Sequence, residues 1–218
     1  MTQLLLIRHA VNDFVKTGKL AGWTPGVHLN EEGLAQAEAL GQRLSRAPIE
    51  RICSSPLERT METAEAIRKH HPHLTIEEHS GIGEVNYGDW EGMLISDLRH
   101  RKMWEVVQEY PSRAYFPNGE TMREVQMRVV NAIEEMVRQN PRAMIAAVLH
   151  ADLIKMAVAH YLGMHLDNFQ RIVISPASIS ALSLGHSRPF VATVNDVAHV
   201  LELEQRRRQS EAAAATEH

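Results

Sequence analysis

An arginine and a histidine, Arg8 and His9, follow directly after the apolar run at residues 4–7. Four consecutive aliphatic residues bounded by polar ones predict a buried strand. In an open α/β sheet, ligands bind where the strands end. A guanidinium group matches phosphate oxygens, and an imidazole can act as a nucleophile or carry a proton. The pair therefore predicts a phosphoryl site, against the plainer alternative of a capped strand end with a surface histidine.

A second apolar run, residues 145–149, leads in the same way into His150. If the two predicted strands are neighbours, the imidazoles of His9 and His150 face each other across one crevice. A third strand end leads to Arg59, in the first turn of a predicted helix. A helix amino end favours anions, so Arg59 is out of place there unless it meets an anionic ligand or pairs with a neighbouring glutamate. Two arginines and two histidines at three strand ends predict a cationic pocket, although the formal net charge is -4.

Strands alternate with amphipathic helices along the chain. We predict strands at 2–7, 49–53, 75–78, 143–149, 178–184 and 190–195, with the last two forming a hairpin. We predict a loop over 10–30 and helices over 31–46, 56–70, 96–109, 120–140 and 152–162. This alternation is typical of an α/β fold, here a three-layer α/β/α sandwich with a mostly parallel central sheet. We expect one catalytic domain over 1–205, a small helical cap-like insertion around 93–117 and a flexible C-terminal tail over 206–218.

Composition narrows the class of protein. The chain has 218 residues, 44% of them hydrophobic, and a single cysteine, Cys53. A negative net charge provides no basic field for nucleic acid, and no apolar stretch is long enough to cross a bilayer. One cysteine excludes an internal disulfide and a cysteine-based zinc cage. We expect a cytoplasmic enzyme without a secretory signal, with no nucleic-acid or membrane partner, no cofactor and no metal; a homodimer is left open.

The residues around the predicted strand ends belong to longer motifs. LLLIRHAVN, at residues 4–12, resembles the signature of the histidine phosphatase superfamily, in its phosphoglycerate-mutase-like branch. Further blocks fit in the same order, namely AGWTPGVHLNEEG, CSSPLERTMETA, GEVNYGDWEGM, FPNGETMREVQMRV and VLHADLI. The resemblance covers residues 3–185. It implies that the protein hydrolyses a phosphorylated small-molecule substrate through a phosphohistidine intermediate, without a metal ion.

The resemblance also implies a role for each matching residue. His9 resembles the nucleophile, while Arg8, Arg59 and His150 resemble a phosphate clamp. Glu84 resembles the proton donor to the leaving group, a role that requires a raised pKa near neutral pH. The candidates for contact with the phosphate or the rest of the substrate are Asn12, Trp23, Thr24, Leu29, Tyr87 and Ala151.

Three positions depart from the family pattern. Ala10 and Ala151 stand where the family often has glycine, so an added methyl group narrows the pocket beside the phosphate. Val15 stands where many members carry an asparagine that contacts the phosphate, and Asn12 is the candidate to supply that contact instead. These departures bear on phosphate affinity rather than on the class of reaction.

Three other functions fit part of the pattern. Cys53 and Arg59 have the spacing of a cysteine-dependent phosphatase loop, but Pro56 lacks an N–H and Glu58 would bring a negative charge to the phosphate. A phosphoglycerate mutase is disfavoured because only residues 93–117 intervene where mutases carry an additional insertion. A non-catalytic module that binds a phospho-ligand on the same scaffold is disfavoured because the candidate catalytic residues are all present.

Overall fold

A computed structural model describes residues 1–216 and places six strands in one sheet. The strands are β1 Thr2–Arg8, β2 Arg51–Ser54, β3 Ile76–Glu78, β4 Met144–Leu149, β5 Ile179–Leu184 and β6 Phe190–Asp196. Their order across the sheet is β3-β2-β4-β1-β5-β6. The first four run parallel to one another, and β5 is antiparallel to both of its neighbours. The predicted mostly parallel sheet and the β5–β6 hairpin are confirmed.

Helices cover both faces of this sheet. They are α1 Asp13–Thr17, α2 Glu31–Leu44, α3 Glu58–Arg68, α4 Ile95–Leu98, α5 Lys102–Glu109, α6 Met122–Gln139, α7 Ala151–Tyr161 and α8 Ala198–Thr216. Side chains alternate along β1, so Leu6 joins a core that contains Val129 of α6, whereas Ile7 joins a core that contains Leu40 of α2. The two cores give the three-layer sandwich expected from the sequence.

The predicted helix over 96–109 is wrong as a single element, because the chain forms α4 and α5 with a break at residues 99–101. Leu98 and Val107 are both buried in the same core. Nine residues apart on one continuous helix, they would point to opposite sides, since each residue turns the helix by roughly 100°. The break lets both side chains reach the core, and the insertion around 93–117 is helical as predicted.

Two segments expected to lack regular structure are helical. Asn12 caps α1, its side chain accepting a hydrogen bond from the Val15 N–H at 2.9 Å, so the predicted loop over 10–30 contains a short helix. Helix α8 continues through 206–216, a stretch rich in alanine, which favours helix. The tail is therefore helical as far as Thr216, its mobility stays a prediction, and residues 217–218 lie outside the described part. Nowhere in residues 1–216 does a helix have the length and apolar character needed to cross a bilayer.

Candidate active site

The site begins where β1 and β4 end side by side. Arg8 pairs with Leu149 in the parallel register, and the His9 N–H donates to the Leu149 carbonyl at 3.0 Å. The next residue on each strand is a histidine, and the ring centroids of His9 and His150 lie 5.3 Å apart, edge to face. The neighbouring strands therefore bring the two imidazoles to one crevice at the carboxyl edge of the sheet.

His9 is buried and has a defined ring orientation. Its Nδ1 lies 2.8 Å from the Ala10 carbonyl oxygen, which can only accept, so Nδ1 carries the proton and Nε2 keeps a free lone pair. Burial, followed by the charges of Arg8 and Arg59, holds the pKa of His9 well below its usual value. The ring is therefore neutral at physiological pH, which is the nucleophilic form of an imidazole.

Two arginines and an asparagine bring unpaired N–H groups to this crevice. Arg59, at the start of α3, is fully buried and donates from Nη2 to the Gly22 carbonyl at 2.9 Å. Arg8 donates from Nη1 to the Ile174 carbonyl at 2.7 Å. Within residues 1–216, Arg59 Nε and Nη1, Arg8 Nε and Asn12 Nδ2 are buried without a hydrogen-bond partner. Buried donors left unpaired are costly, so this cluster fits an oxyanion such as a phosphoryl group.

His150 is held by a serine that the sequence analysis did not single out. Its Nε2 lies 2.9 Å from the Ser55 hydroxyl, and its Nδ1 lies 3.4 Å from both Arg59 Nη2 and Glu84 Oε2. Burial and the neighbouring arginines hold the pKa of His150 well below its usual value, so the ring is neutral. A serine hydroxyl can donate or accept, so Ser55 supports either tautomer. With the proton on Nδ1, His150 can donate to a bound phosphoryl oxygen.

Glu84 is placed to exchange protons at the same crevice. Its Oε2 lies 4.0 Å from Arg59 Nη2, and its Oε1 accepts the Val85 N–H at 3.0 Å. Burial raises the pKa of Glu84 to about 7, with Asp152 adding to the rise and Arg59 opposing it. Near neutral pH the carboxyl group can therefore either donate or accept a proton.

A cage of hydrogen bonds fixes the backbone that carries Glu84. The guanidinium of Arg128, on α6, donates to the carbonyls of Gly81, Gly83 and Glu84 at 2.9 to 3.2 Å. It also forms two hydrogen bonds of 2.8 Å with Glu120. Arg128 lies inside one of the family-like motifs, but it is one arginine among several on an amphipathic helix, so the sequence alone gave no reason to select it.

The crevice opens into a cavity of about 280 Å³. The residues lining it are Arg8, His9, Asn12, Phe14, Val15, Gly18, Lys19, Leu20, Ala21, Arg59, Glu84, Tyr87, Ile95, Ala151, Asp152, Lys155 and Ile174. Three of the predicted substrate contacts therefore line the cavity beside His9: Asn12, Tyr87 and Ala151. Val15, at the position where the family often has asparagine, lines the wall with an apolar side chain.

Three of the predicted substrate contacts do not line this cavity: Trp23, Thr24 and Leu29. The Trp23 indole N–H donates to the Glu84 carbonyl at 2.7 Å, so Trp23 supports the Glu84 backbone from outside. The backbone N–H of Leu29 donates to Glu62 at 2.8 Å, and its side chain is buried in a separate core. The sequence could not separate these roles, because the relevant contacts join residues far apart in the chain.

In residues 1–216, no three side chains among histidine, cysteine, aspartate and glutamate come together as a metal-binding group. The described geometry provides a neutral imidazole, cationic N–H donors and a carboxyl group that titrates near pH 7.

Comparisons with known proteins agree with this geometry. The sequence model of the histidine phosphatase superfamily (branch 1) matches residues 4–197. The chain is similar to phosphoserine phosphatase 1 of Hydrogenobacter thermophilus, with 29% identity over 207 residues, which are 93% of this chain and 96% of that relative. It is 32% identical over 154 residues to an uncharacterized phosphatase, PhoE, of Bacillus subtilis, covering 71% of this chain and 74% of the relative. The solved structure of YhfR from Bacillus stearothermophilus matches with a TM-score of 0.86 at 25% identity, covering 92% of this chain and all of that one.

Proposed function

Because this chain belongs to the histidine phosphatase superfamily (branch 1) and is a phosphatase that hydrolyses phosphomonoesters, we propose that His9 is its nucleophile and that the reaction passes through a phosphohistidine. Phosphatases of this family act without metal ions, so the charge on the transferred phosphoryl group falls to side chains of the protein. The observation that carries the proposal is the free Nε2 of His9 beside the unpaired N–H groups of Arg8 and Arg59.

In the first step, His9 Nε2 attacks phosphorus and the bond to the ester oxygen breaks. The proton stays on Nδ1, which donates a hydrogen bond to the Ala10 carbonyl, and this contact holds the ring in the nucleophilic tautomer throughout. The arginines and His150 Nδ1 donate to the equatorial oxygens, where charge accumulates. Glu84 gives its proton to the departing oxygen, so the leaving group departs as a neutral alcohol.

In the second step, water attacks the phosphorus of the phosphohistidine. Glu84, now a carboxylate, takes a proton from this water, and the bond between His9 Nε2 and phosphorus breaks. Inorganic phosphate is released, and Glu84 is again protonated for the next turnover. One carboxyl group with a pKa of about 7 serves both steps, since it is populated in both forms near neutral pH.

The phosphohistidine can be trapped directly. Rapid quenching with labelled p-nitrophenyl phosphate should leave labelled phosphate on the protein that is stable in base and labile in acid, on the peptide that contains His9. The Glu84→Gln protein should accumulate more of it, because the second step loses its base. His71→Ala serves as a matched control, since His71 is also buried but contacts the Leu44 carbonyl far from the site. Label on any other residue, or no label under single turnover, would contradict the proposal.

We propose hydrolysis rather than phosphoglycerate mutase activity as the main reaction. From the insertion around 93–117, Ile95 alone lines the cavity. Lys19 and Val15, which also line the cavity, are exposed to solvent. Water therefore has access to the phosphohistidine. A mutase must instead exclude water until the phosphoryl group returns to the substrate. Incubation with 3-phosphoglycerate and its bisphosphate should release phosphate faster than it forms 2-phosphoglycerate, and the reverse ratio would favour the mutase.

We propose that the protein works in the cytoplasm. Its single cysteine, Cys53, is free and buried, which suits a reducing compartment where disulfides are rare. Cell fractionation with an antibody against the native protein should recover it in the cytoplasmic fraction, and recovery outside the cytoplasm would contradict this.

We also propose a homodimer formed through the edge strand β6. Among residues 1–216, β6 pairs with β5 alone and its other edge is open, and Phe190 at its start is 56% exposed. Open apolar edges favour pairing with another strand. Light scattering should give about twice the chain mass, and Phe190→Lys should shift the protein to the monomer; a monomer in the wild type would overturn this.

A further inference from the structure

The backbone of Arg8 and His9 is held by a turn between α7 and β5. The carbonyl of Ile174 accepts a hydrogen bond from Arg8 Nη1 at 2.7 Å, and the Ser178 carbonyl accepts the Arg8 N–H at 3.2 Å. The Ala177 N–H donates to the His9 carbonyl at 3.3 Å. The position of this turn therefore sets the position of the His9 backbone and of the Arg8 guanidinium.

This turn has a backbone conformation that its sequence does not favour. The Ser178 N–H donates to the Ser175 carbonyl at 3.1 Å, which closes a four-residue turn. Pro176 is its second residue and Ala177 its third, and Ala177 has a φ of 57°. Glycine or asparagine usually occupies a left-handed third position, because the side chains of other residues make it costly. Contacts from elsewhere in the fold must therefore hold the turn in place.

The junction between β6 and α8 supplies these contacts. The Asn195 side-chain oxygen accepts the Ser175 N–H at 2.6 Å. His199 is 5% exposed, and burial lowers the pKa of its ring, so the imidazole is neutral. Its Nε2 lies 3.0 Å from the Ala177 carbonyl oxygen, which can only accept, so Nε2 carries the proton and donates. The junction therefore contacts both the first and the third residue of the turn.

We propose that His199, supported by Asn195, is a positioning residue for the reaction, although it does not line the cavity. It acts through the Ala177 carbonyl, which it holds while the N–H of the same residue holds the His9 carbonyl. This proposal rests on the proposed function, because it takes His9 as the nucleophile. Release of the turn would let Arg8 and His9 shift against a bound phosphoryl group. A misplacement of about 1 Å is enough to cost about 100-fold in rate.

A second buried histidine provides a matched control. His71 is also 5% exposed, and its Nε2 also lies 3.0 Å from a backbone carbonyl, that of Leu44 at the end of α2. His199→Leu and His71→Leu each leave one buried carbonyl without its donor, so both should lower the melting temperature to a similar extent. Because Leu44 has no contact with the catalytic pair, only His199→Leu should slow the formation of phosphohistidine.

Single-turnover formation of phosphohistidine from p-nitrophenyl phosphate measures the effect, because this step needs His9 and Arg8 but no proton from Glu84. In folded His199→Leu, the rate should fall about 10- to 100-fold, and the inhibition constant of inorganic phosphate should rise about threefold or more as the Arg8 donors shift. His199→Gln keeps an N–H donor on its amide and should recover most of the rate. The rate in His71→Leu should stay within about threefold of the wild type.

Asn195→Gly tests the same turn without a change at His199. Asn195 has a φ of 58°, which glycine adopts freely, so the change removes the acceptor of the Ser175 N–H without straining the backbone. The rate should fall about 3- to 10-fold. A wild-type rate in folded His199→Leu or in Asn195→Gly, or an equal loss in His71→Leu, would overturn the positioning role. Absence of phosphohistidine in the wild type would instead overturn the proposed function.

Discussion

The two strands that flank β4 each bring a side chain of nucleophilic type close to the same edge of the sheet, and burial affects these two side chains in opposite ways. His9 follows β1, and burial lowers the pKa of its ring, so the neutral and nucleophilic imidazole prevails. Cys53 lies in β2, and burial raises the pKa of its thiol to about 12, so the reactive thiolate is absent at neutral pH. Removal from water favours the uncharged form of both groups. Burial therefore keeps His9 in its nucleophilic, neutral form and keeps Cys53 in its unreactive thiol form.

The surroundings of the two side chains reinforce this contrast. His9 meets the unpaired donors of Arg8 and Arg59, whereas Cys53 belongs to the hydrophobic core. Spacing alone made Cys53 and Arg59 resemble a cysteine-dependent phosphatase loop, but Arg59 lies 4.0 Å from Glu84 and 3.4 Å from His150 instead. A candidate nucleophile is therefore recognised by its charge state and by the hydrogen-bond donors around it rather than by its spacing in the sequence.

Among the substitutions that test the contrast between His9 and Cys53, replacement of His9 should cause the largest loss of activity. His9→Ala should lower kcat/KM by about 10⁴-fold or more for every substrate, because the covalent step loses its nucleophile. Steady-state assays should be paired with thermal unfolding, which should show a folded protein. Substantial residual activity would mean that another group attacks phosphorus.

Glu84→Gln should separate substrates by their leaving groups. For alkyl esters such as glycerol 3-phosphate, we expect a loss of about 100- to 10,000-fold, since a basic alkoxide must be protonated as it departs. Nitrophenolate leaves without this help, so formation of phosphohistidine from p-nitrophenyl phosphate should be nearly unchanged. Single-turnover rates for both esters provide the measurement, and an equal loss for both would make Glu84 structural.

The pH dependence should reverse between the two classes of ester. When proton donation limits the rate, as with alkyl esters, kcat should fall about tenfold per pH unit above the Glu84 pKa of about 7, because the protonated form disappears. When hydrolysis of phosphohistidine limits the rate, as with aryl esters, kcat should rise through the same range, because the carboxylate form is needed. Profiles with the same direction for both esters would contradict the double role of Glu84.

Arg128→Gln tests whether the backbone around Glu84 must be held in place. The change removes hydrogen bonds to the carbonyls of Gly81, Gly83 and Glu84, so alkyl-ester activity should fall about 10- to 100-fold through misplacement of the acid. Activated aryl esters should be affected less in single-turnover assays, since they do not need the acid. Arg128→Lys should rescue part of the loss. A uniform loss would show a general structural role.

Cys53→Ala should have the smallest effect of the series. The thiol is protonated and buried in the hydrophobic core, so kcat/KM should stay within about threefold of wild type, with a stability loss of roughly 1 kcal/mol for the missing sulfur. Chemical denaturation measures the second quantity. A loss of about a thousandfold in rate would revive Cys53 as the nucleophile.

The sequence predicted most of the site because its residues are tied to local features. His9 and His150 directly follow apolar runs, so the position of each at a strand end required only the strand itself. Ser55 and Arg128 were missed because their roles depend on contacts between distant parts of the chain, with His150 and with the Glu84 backbone. Trp23 stays a predicted substrate contact; its indole N–H donates to the Glu84 carbonyl from a position that does not line the cavity, a contact that the sequence pattern did not indicate.

The fold was predictable to a similar degree and for similar reasons. Buried strands and long amphipathic helices appear in the local pattern, and the structure has them within a few residues of their predicted bounds. The break between α4 and α5 escaped prediction because it serves Leu98 and Val107, whose shared core is a tertiary property. The polar composition of residues 206–218 predicted a flexible tail, but α8 continues to Thr216. Alanine favours helix even where the side chains are exposed.

The unpaired N–H groups of Arg8, Arg59 and Asn12 have a consequence for the end of the catalytic cycle. Donors that are already oriented toward an oxyanion can bind the oxygens of inorganic phosphate as well as those of a substrate's phosphoryl group. Inorganic phosphate then competes with the substrate for these donors, so we expect turnover to slow as phosphate accumulates. Because phosphate binds only the folded protein, the same coupling raises thermal stability with phosphate concentration. We therefore expect inorganic phosphate both to inhibit the enzyme competitively and to raise its melting temperature.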